Sequence, residues 1–249
     1  MLNEPLLRDL EALGLRGMAR ALTQQQRLPQ SLDLGFEERL ALLVDQERID
    51  RLNHRVAQRL RWARLPPGAT VEDIDLRTAR GLDKSLIGKL TGLAWIAQGL
   101  NVLISGPTGV GKSYLACALG HHACRNDISV RYFRIPRLND ELQRAGALHK
   151  KSAFLKALAK SQLLVLDDFG LTPMPESTQR DLLEILDDRY NRHATIVTSQ
   201  LPVEKWHGYL SDPTLADAIL DRLVHNAYRA NLKGESMRKV NSRSTSTIA

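Results

Sequence analysis

The chain has 249 residues, 43% apolar and 25% charged, with 35 lysines and arginines against 28 acids and a net charge of +7. That length holds one large globular domain, or a core domain with a small appendage. No apolar run approaches a membrane span, the start reads as unprocessed, and two cysteines build no disulfide framework, so a cytoplasmic protein is expected. The basic excess points to a polyanionic partner, DNA or RNA before membrane, with a mildly basic enzyme as the plainer alternative.

Residues 4–65 read as helical. Leu6, Leu7, Leu10 and Leu13 form an apolar stripe, interrupted by Gly14 and Gly17; Met18, Ala21 and Leu22 open a second short helix that ends near Pro29. A longer helix is predicted over residues 36–63, its apolar positions following three- and four-residue steps from Leu40 to Leu60. Its second half carries Arg48, Arg51, Arg55, Arg59, Arg61 and Arg64 against Asp50 alone. Arg51, Arg55 and Arg59 lie one turn apart, a stripe with no acid inside it to pair with, and such a stripe suits a phosphate backbone. The competing reading is a solvated face paired with other segments.

Pro66-Pro67-Gly68 is the strongest boundary signal, and it separates a helical N-terminal domain, residues 1–66, from a larger domain, residues 67–249. Beyond it strands and helices alternate. Strands are predicted at 102–105, 130–133, 163–166 and 195–198, with helices between, which implies a parallel sheet covered by helices on both faces.

Gly106-Pro107-Thr108-Gly109-Val110-Gly111-Lys112-Ser113 fits the phosphate-loop pattern G-x-x-x-x-G-K-[ST], between the strand ending at Ser105 and a helix opening at Tyr114. Its glycines let backbone N–H groups point at phosphate oxygens. Lys112 would reach the β- and γ-phosphates of ATP, and Ser113 would ligate magnesium. Cys117, His121 and Cys124 share a face of the following helix, but no fourth ligand is near and packing on the sheet is the better reading.

The third strand ends in Leu166-Asp167-Asp168, where Asp167 would hold Mg2+ with Ser113 and Asp168 would position the attacking water. Thr198, Ser199 and Gln200 close the fourth strand at the edge where a γ-phosphate would lie; Ser199 is taken as the sensing residue, and capping of the turn before Pro202 competes. Tyr132 and Phe133 read as sheet core.

The succession of the phosphate loop, Asp167-Asp168-Phe169-Gly170-Leu171, Thr198-Ser199-Gln200-Leu201-Pro202, Asp221-Arg222-Leu223 and Gly234-Glu235-Ser236-Met237-Arg238-Lys239 resembles the AAA+ ATPases related to DnaC and DnaA. Within them it is most similar to the IstB-type helper proteins of insertion sequences, and the likeness covers nearly the whole chain. The resemblance implies a P-loop AAA+ sheet sandwiched by helices. It also implies an ATP- and Mg2+-dependent enzyme that assembles on double-stranded DNA through nucleotide-bridged interfaces and assists a transposase.

By the same resemblance Arg222 matches the arginine finger that reaches a neighbouring subunit's nucleotide, and Arg238 the second sensor. An internal pair of Arg222 with Asp217 or Asp221 is the alternative. Two departures stand out: Asp168 replaces the usual glutamate, which implies slow hydrolysis, and the tail after Arg238 leaves no room for a full helical lid. Arg134, Arg137, Lys150 and Lys151, between the second and third strands, match an insertion that touches DNA in DnaA-like relatives. A DnaC-like helicase loader is the first alternative, and a small-molecule P-loop kinase the second.

Overall fold

The computed structural model describes residues 3–28, 33–76 and 80–237. The chain divides into two compact units, Met1–Gln58 and Arg59–Ala249, so the division falls inside the long helix.

In the first unit, α1 (Asn3–Ala12), α2 (Arg16–Arg27) and the first part of α3 (Phe36–Ala63) are all helical. Gly14 ends the first helix in the left-handed region at φ 75°. Gly17, read as a break before the second helix, does not stand between the two helices. It lies inside α2, where a Cβ would stand 2.6 Å from the Glu47 Cα, so glycine is what lets α2 approach α3. The Glu47 carboxylate accepts the Gly17 N–H at 2.7 Å and the Met18 N–H at 3.3 Å, supplying from another helix the acceptor that a first helical turn requires.

The second unit holds α4 (Lys84–Thr91), α5 (Ala94–Ala97), β1 (Asn101–Ser105), α6 (Lys112–Arg125), β2 (Val130–Arg134), α7 (Ile135–Ala147), α8 (Lys151–Ala159), β3 (Leu163–Phe169), α9 (Glu176–Arg189), β4 (Ala194–Ser199), α10 (Trp206–Tyr209), α11 (Pro213–Val224) and β5 (Ala227–Asn231). The strands form one parallel sheet in the order β2-β3-β4-β1-β5. β1 and β3 are thus separated by β4, and their carboxyl ends face the same side. The fifth strand, absent from the sequence reading, pairs with β1 from Asn101↔Ala227 to Ser105↔Asn231.

Side-chain alternation sorts the sheet residues into two cores. Val102, Ile104, Val165 and Ile196 face one side, packed under α6 and α4; Leu103, Leu164, Leu166 and Val197 face the other, packed under α7, α9 and α11. Both faces are buried, which is why the strands read as continuous apolar runs rather than alternating ones. Cys117 and Cys124 belong to the first core, where burial pushes their thiols up to about 12 and about 11. Among the described residues no group of His, Cys, Asp and Glu is arranged to hold a metal by itself, and no helix is long and apolar enough to cross a membrane.

Candidate functional site

A cavity of about 1090 Å3 opens at the carboxyl ends of β1 and β3. That volume is ample for a nucleotide, and the position is where open α/β sheets bind ligands. Thr108, Gly109, Gly111, Lys112, Ser113 and Tyr114 line it, while Gly106, Pro107 and Val110 shape the loop behind them. Gly106, Gly109 and Gly111 all have positive φ, at 144°, 87° and 99°. At Gly106 a Cβ would collide with the Leu232 carbonyl oxygen, so only glycine fits the first turn of the loop.

Lys112 opens α6 and is 7% exposed. Its Nζ donates to the Pro107 carbonyl at 2.7 Å, inside its own loop. Burial lowers its pKa, opposed by the charges of Asp168 and Asp167. An incoming polyphosphate would relieve that desolvation, because it brings negative charge to a cation already held in place.

Asp167, 2% exposed, gathers hydroxyl donors. Ser113 Oγ donates to its Oδ1 at 2.8 Å, Tyr132 donates to its Oδ2 at 2.8 Å, and the Thr198 hydroxyl closes on Oδ1. The two residues expected to hold magnesium therefore touch. Their oxygens are the hard donors that Mg2+ takes, so the set fits that ion.

Asp168 sits differently. β3 runs through both acids, with a register shift against β4 between Leu166 and Phe169, and Asp168 adopts φ 61°. Such an irregularity re-aims a side chain next to a site. Here it turns the Asp168 carboxylate toward Arg134, whose Nε and Nη2 lie 2.7 and 2.6 Å from Oδ2. Hydrogen bonding to Asp168 is the first cause of the raised Arg134 pKa.

Arg134 is therefore a cavity residue, at the end of β2 beside Asp167, rather than one of an outer basic patch. Tyr132, expected in the sheet core, reaches the cavity as well; Phe133 between them is buried as expected. Two polar side chains two residues apart at the carboxyl end of a parallel strand were the available signal.

Ser199 is turned away from the cavity. Its hydroxyl donates to the Phe169 carbonyl at 2.6 Å and accepts the Leu201 N–H at 3.0 Å, the turn-capping role. Thr198 contacts Asp167 and donates no side chain to the outside, while Gln200 lines the cavity. Arg80, which the sequence reading missed, is 6% exposed and props the loop from below: Nη1 donates to the Val110 carbonyl at 3.1 Å and Nη2 to the Asp75 carbonyl at 2.8 Å.

Arg222 lies elsewhere. The Asn101 side chain donates to the Arg222 carbonyl at 2.8 Å, which puts this residue at the amino end of β1. The phosphate loop follows the other end, about 15 Å along a five-residue strand. Arg222 Nε pairs with Asp187 at 2.5 Å and Nη1 stands 3.7 Å from Asp221; Asp217 pairs with His207 instead. Arg238 lies outside the described residues.

The arginine stripe is not unpaired. Arg51 Nε donates to Glu47 at 2.7 Å and Arg59 pairs with Asp127 at 2.6 Å; Asp50, the acid within the segment, is held by Arg20. Lys151 pairs with Asp181 at 2.7 Å. Arg55, Arg137 and Lys150 are exposed and make no ion pair among the described residues.

The IstB-like ATP binding protein family model matches residues 8–245. An insertion sequence ATP-binding protein of Sinorhizobium fredii, y4pL, is 50% identical over 239 residues, covering 96% of this chain and 98% of its own length. Among solved structures, the replication initiator DnaA bound to AMPPCP and single-stranded DNA superposes with a TM-score of 0.58 at 18% identity, over 74% of this chain and 56% of that one. DnaI superposes with a TM-score of 0.56 at 22% identity, over 66% and 90%. These two likenesses establish an AAA+ P-loop fold.

Proposed function

The chain belongs to the IstB-like ATP-binding protein family, and from that premise we propose that it is an ATPase which oligomerises on double-stranded DNA and assists or regulates the transposase of an insertion sequence. The observation that carries the reading is the contact of Ser113 with Asp167 beside Lys112, at the mouth of a cavity large enough for ATP. When bound, magnesium would be held by Ser113 and Asp167 and would neutralise phosphate charge.

The remaining work falls to the chain's own residues. Lys112 leaves the Pro107 carbonyl for the β- and γ-phosphates, trading a neutral acceptor for a charged one. Asp167 is already engaged by the Ser113, Tyr132 and Thr198 hydroxyls, which ties it to the metal-holding role. Asp168 orients the attacking water, and while Arg134 holds its carboxylate that role is restrained. Arg222 acts on the nucleotide of an adjoining copy, since its place at the amino end of β1 keeps it from its own. Arg238 acts as the second sensor, and DNA is contacted by Arg55 in the first unit and by Arg137 and Lys150 in the second.

The helicase-loader alternative shares this fold, but the relative at 50% identity carries an insertion sequence name. Sizing the protein with a non-hydrolysable ATP analogue and duplex DNA tests the reading. A large assembly that needs both ligands is expected. A monomer under all conditions, with turnover independent of protein concentration, would favour a small-molecule kinase and overturn it.

A further inference from the structure

The three phosphate-loop glycines are each overlaid on the side where a Cβ would stand, and two of them by one segment. The chain leaving β5 passes over the loop: the Leu232 carbonyl covers Gly106 and the Ser236 side chain covers Gly109. Three backbone hydrogen bonds fix this course. Leu232 N–H donates to the Ser105 carbonyl at 2.7 Å, where β1 enters the loop, and Met237 N–H donates to the Gly109 carbonyl at 2.9 Å, midway along it. Between them Lys233 N–H donates to the carbonyl of Arg80 at 2.9 Å, the residue whose guanidinium props Gly111 and Val110 from the other side.

We propose that residues 232–237 are a working wall of the nucleotide site, and that the Met237 N–H is a positioning group for the phosphate loop. This rests on the reading of the loop as an ATP site. The argument is peptide geometry. In a planar trans peptide the C=O and N–H point in opposite directions. Pinning the Gly109 carbonyl outward, onto Met237, turns the N–H of Val110 away from the wall.

A loop with three positive-φ glycines has many other conformations open to it, so freezing one before phosphate arrives lowers the ordering cost of binding. Met237 also lines the cavity, so the wall and the ligand share a boundary. By linkage, what orders the loop orders the wall: ATP must tighten residues 232–237 as much as they tighten ATP.

The test uses the full chain and a fluorescent ATP analogue with Mg2+. Met237→Pro removes the N–H together with the side chain, and Met237→Ala, which removes the side chain and keeps the N–H, is its control and should bind within about twofold of wild type. Met237→Leu keeps the N–H and the bulk. Affinity is expected to fall about fivefold in Met237→Pro, the effect of losing one half-buried backbone hydrogen bond, and to stay within about twofold in Met237→Leu.

Hydrogen exchange on the unaltered protein gives a second readout that leaves the wall itself unchanged, with Lys112→Ala as its control. ATP is expected to slow exchange of peptides covering residues 232–237, and to leave them unchanged in Lys112→Ala. Wild-type affinity in Met237→Pro, or exchange at 232–237 indifferent to ATP, overturns the wall while leaving the ATP site intact. Failure of the unaltered protein to bind the analogue, or full binding by Lys112→Ala, sinks the ATP reading itself.

Discussion

Replacing Arg134 by Ala isolates what restrains hydrolysis. Both contacts of the guanidinium go to one carboxylate oxygen of Asp168, at 2.7 and 2.6 Å, and the Arg134 side chain is 57% exposed. Screening by that solvent keeps the pair far below the strength of a buried one, about 1 kcal/mol. An energy of that size is about a fivefold shift in the fraction of Asp168 free to meet water. Turnover at saturating ATP should therefore rise about fivefold in Arg134→Ala, with no gain in ATP affinity. The double variant with Asp168→Asn should be no more active than Asp168→Asn alone, because the released group is then missing. Steady-state phosphate release at saturating ATP, with affinity measured separately, is the assay. Lower turnover in Arg134→Ala at unchanged affinity would refute the reasoning and place Arg134 on the reacting phosphate.

Asp168→Asn itself should keep ATP and magnesium but lose most turnover, as read by phosphate release against analogue binding, since Asn cannot take up a proton and Asp167 still meets Ser113. Replacing Arg55, Arg137 and Lys150 together by Ala should weaken duplex binding at every sequence and reduce the salt slope by about one for each cation lost, whereas Arg59→Ala should act mainly on stability through Asp127. Cys117 and Cys124, buried with thiols raised to about 12 and about 11, should resist alkylation at pH 8 in the folded protein and react on unfolding, measured by mass.

The phosphate loop and the acids beside it were legible because their pattern is local. A phosphate loop needs its glycines, lysine and serine in one short run, and the apolar strands before it and before Asp167 are buried on both faces. The long helix was legible to its ends, Phe36 and Ala63, from its periodicity. β5 was not, since Ala-Tyr-Arg-Ala-Asn is a sheet edge with only Ala230 buried and too short to show a period. Helix α4 carried a usable signal in Asp83, which caps it by accepting the Ser85 N–H at 2.9 Å.

What the sequence hid most completely were partners far along the chain. Arg59 with Asp127, Lys151 with Asp181 and Arg134 with Asp168 each look like free cations until the fold brings the acid. The wall over the phosphate loop was hidden for another reason. Its hydrogen bonds are made by main-chain N–H and C=O groups, which every residue but proline carries alike.

The central claim is that an active site is completed by two copies of the chain, Lys112 from one and Arg222 from the next. Lys112→Ala breaks the nucleotide site and leaves Arg222 intact; Arg222→Ala does the reverse. Each alone should be nearly inactive, the second by a factor on the order of 10³. Mixed in the presence of ATP and duplex DNA, they should recover part of the wild-type turnover at the interfaces where an intact Arg222 meets an intact loop. That recovery should rise with protein concentration. Co-assemblies demonstrated to contain both variants yet inactive at every ratio would leave Arg222 as no more than the internal partner of Asp187, and the two-copy site would be wrong.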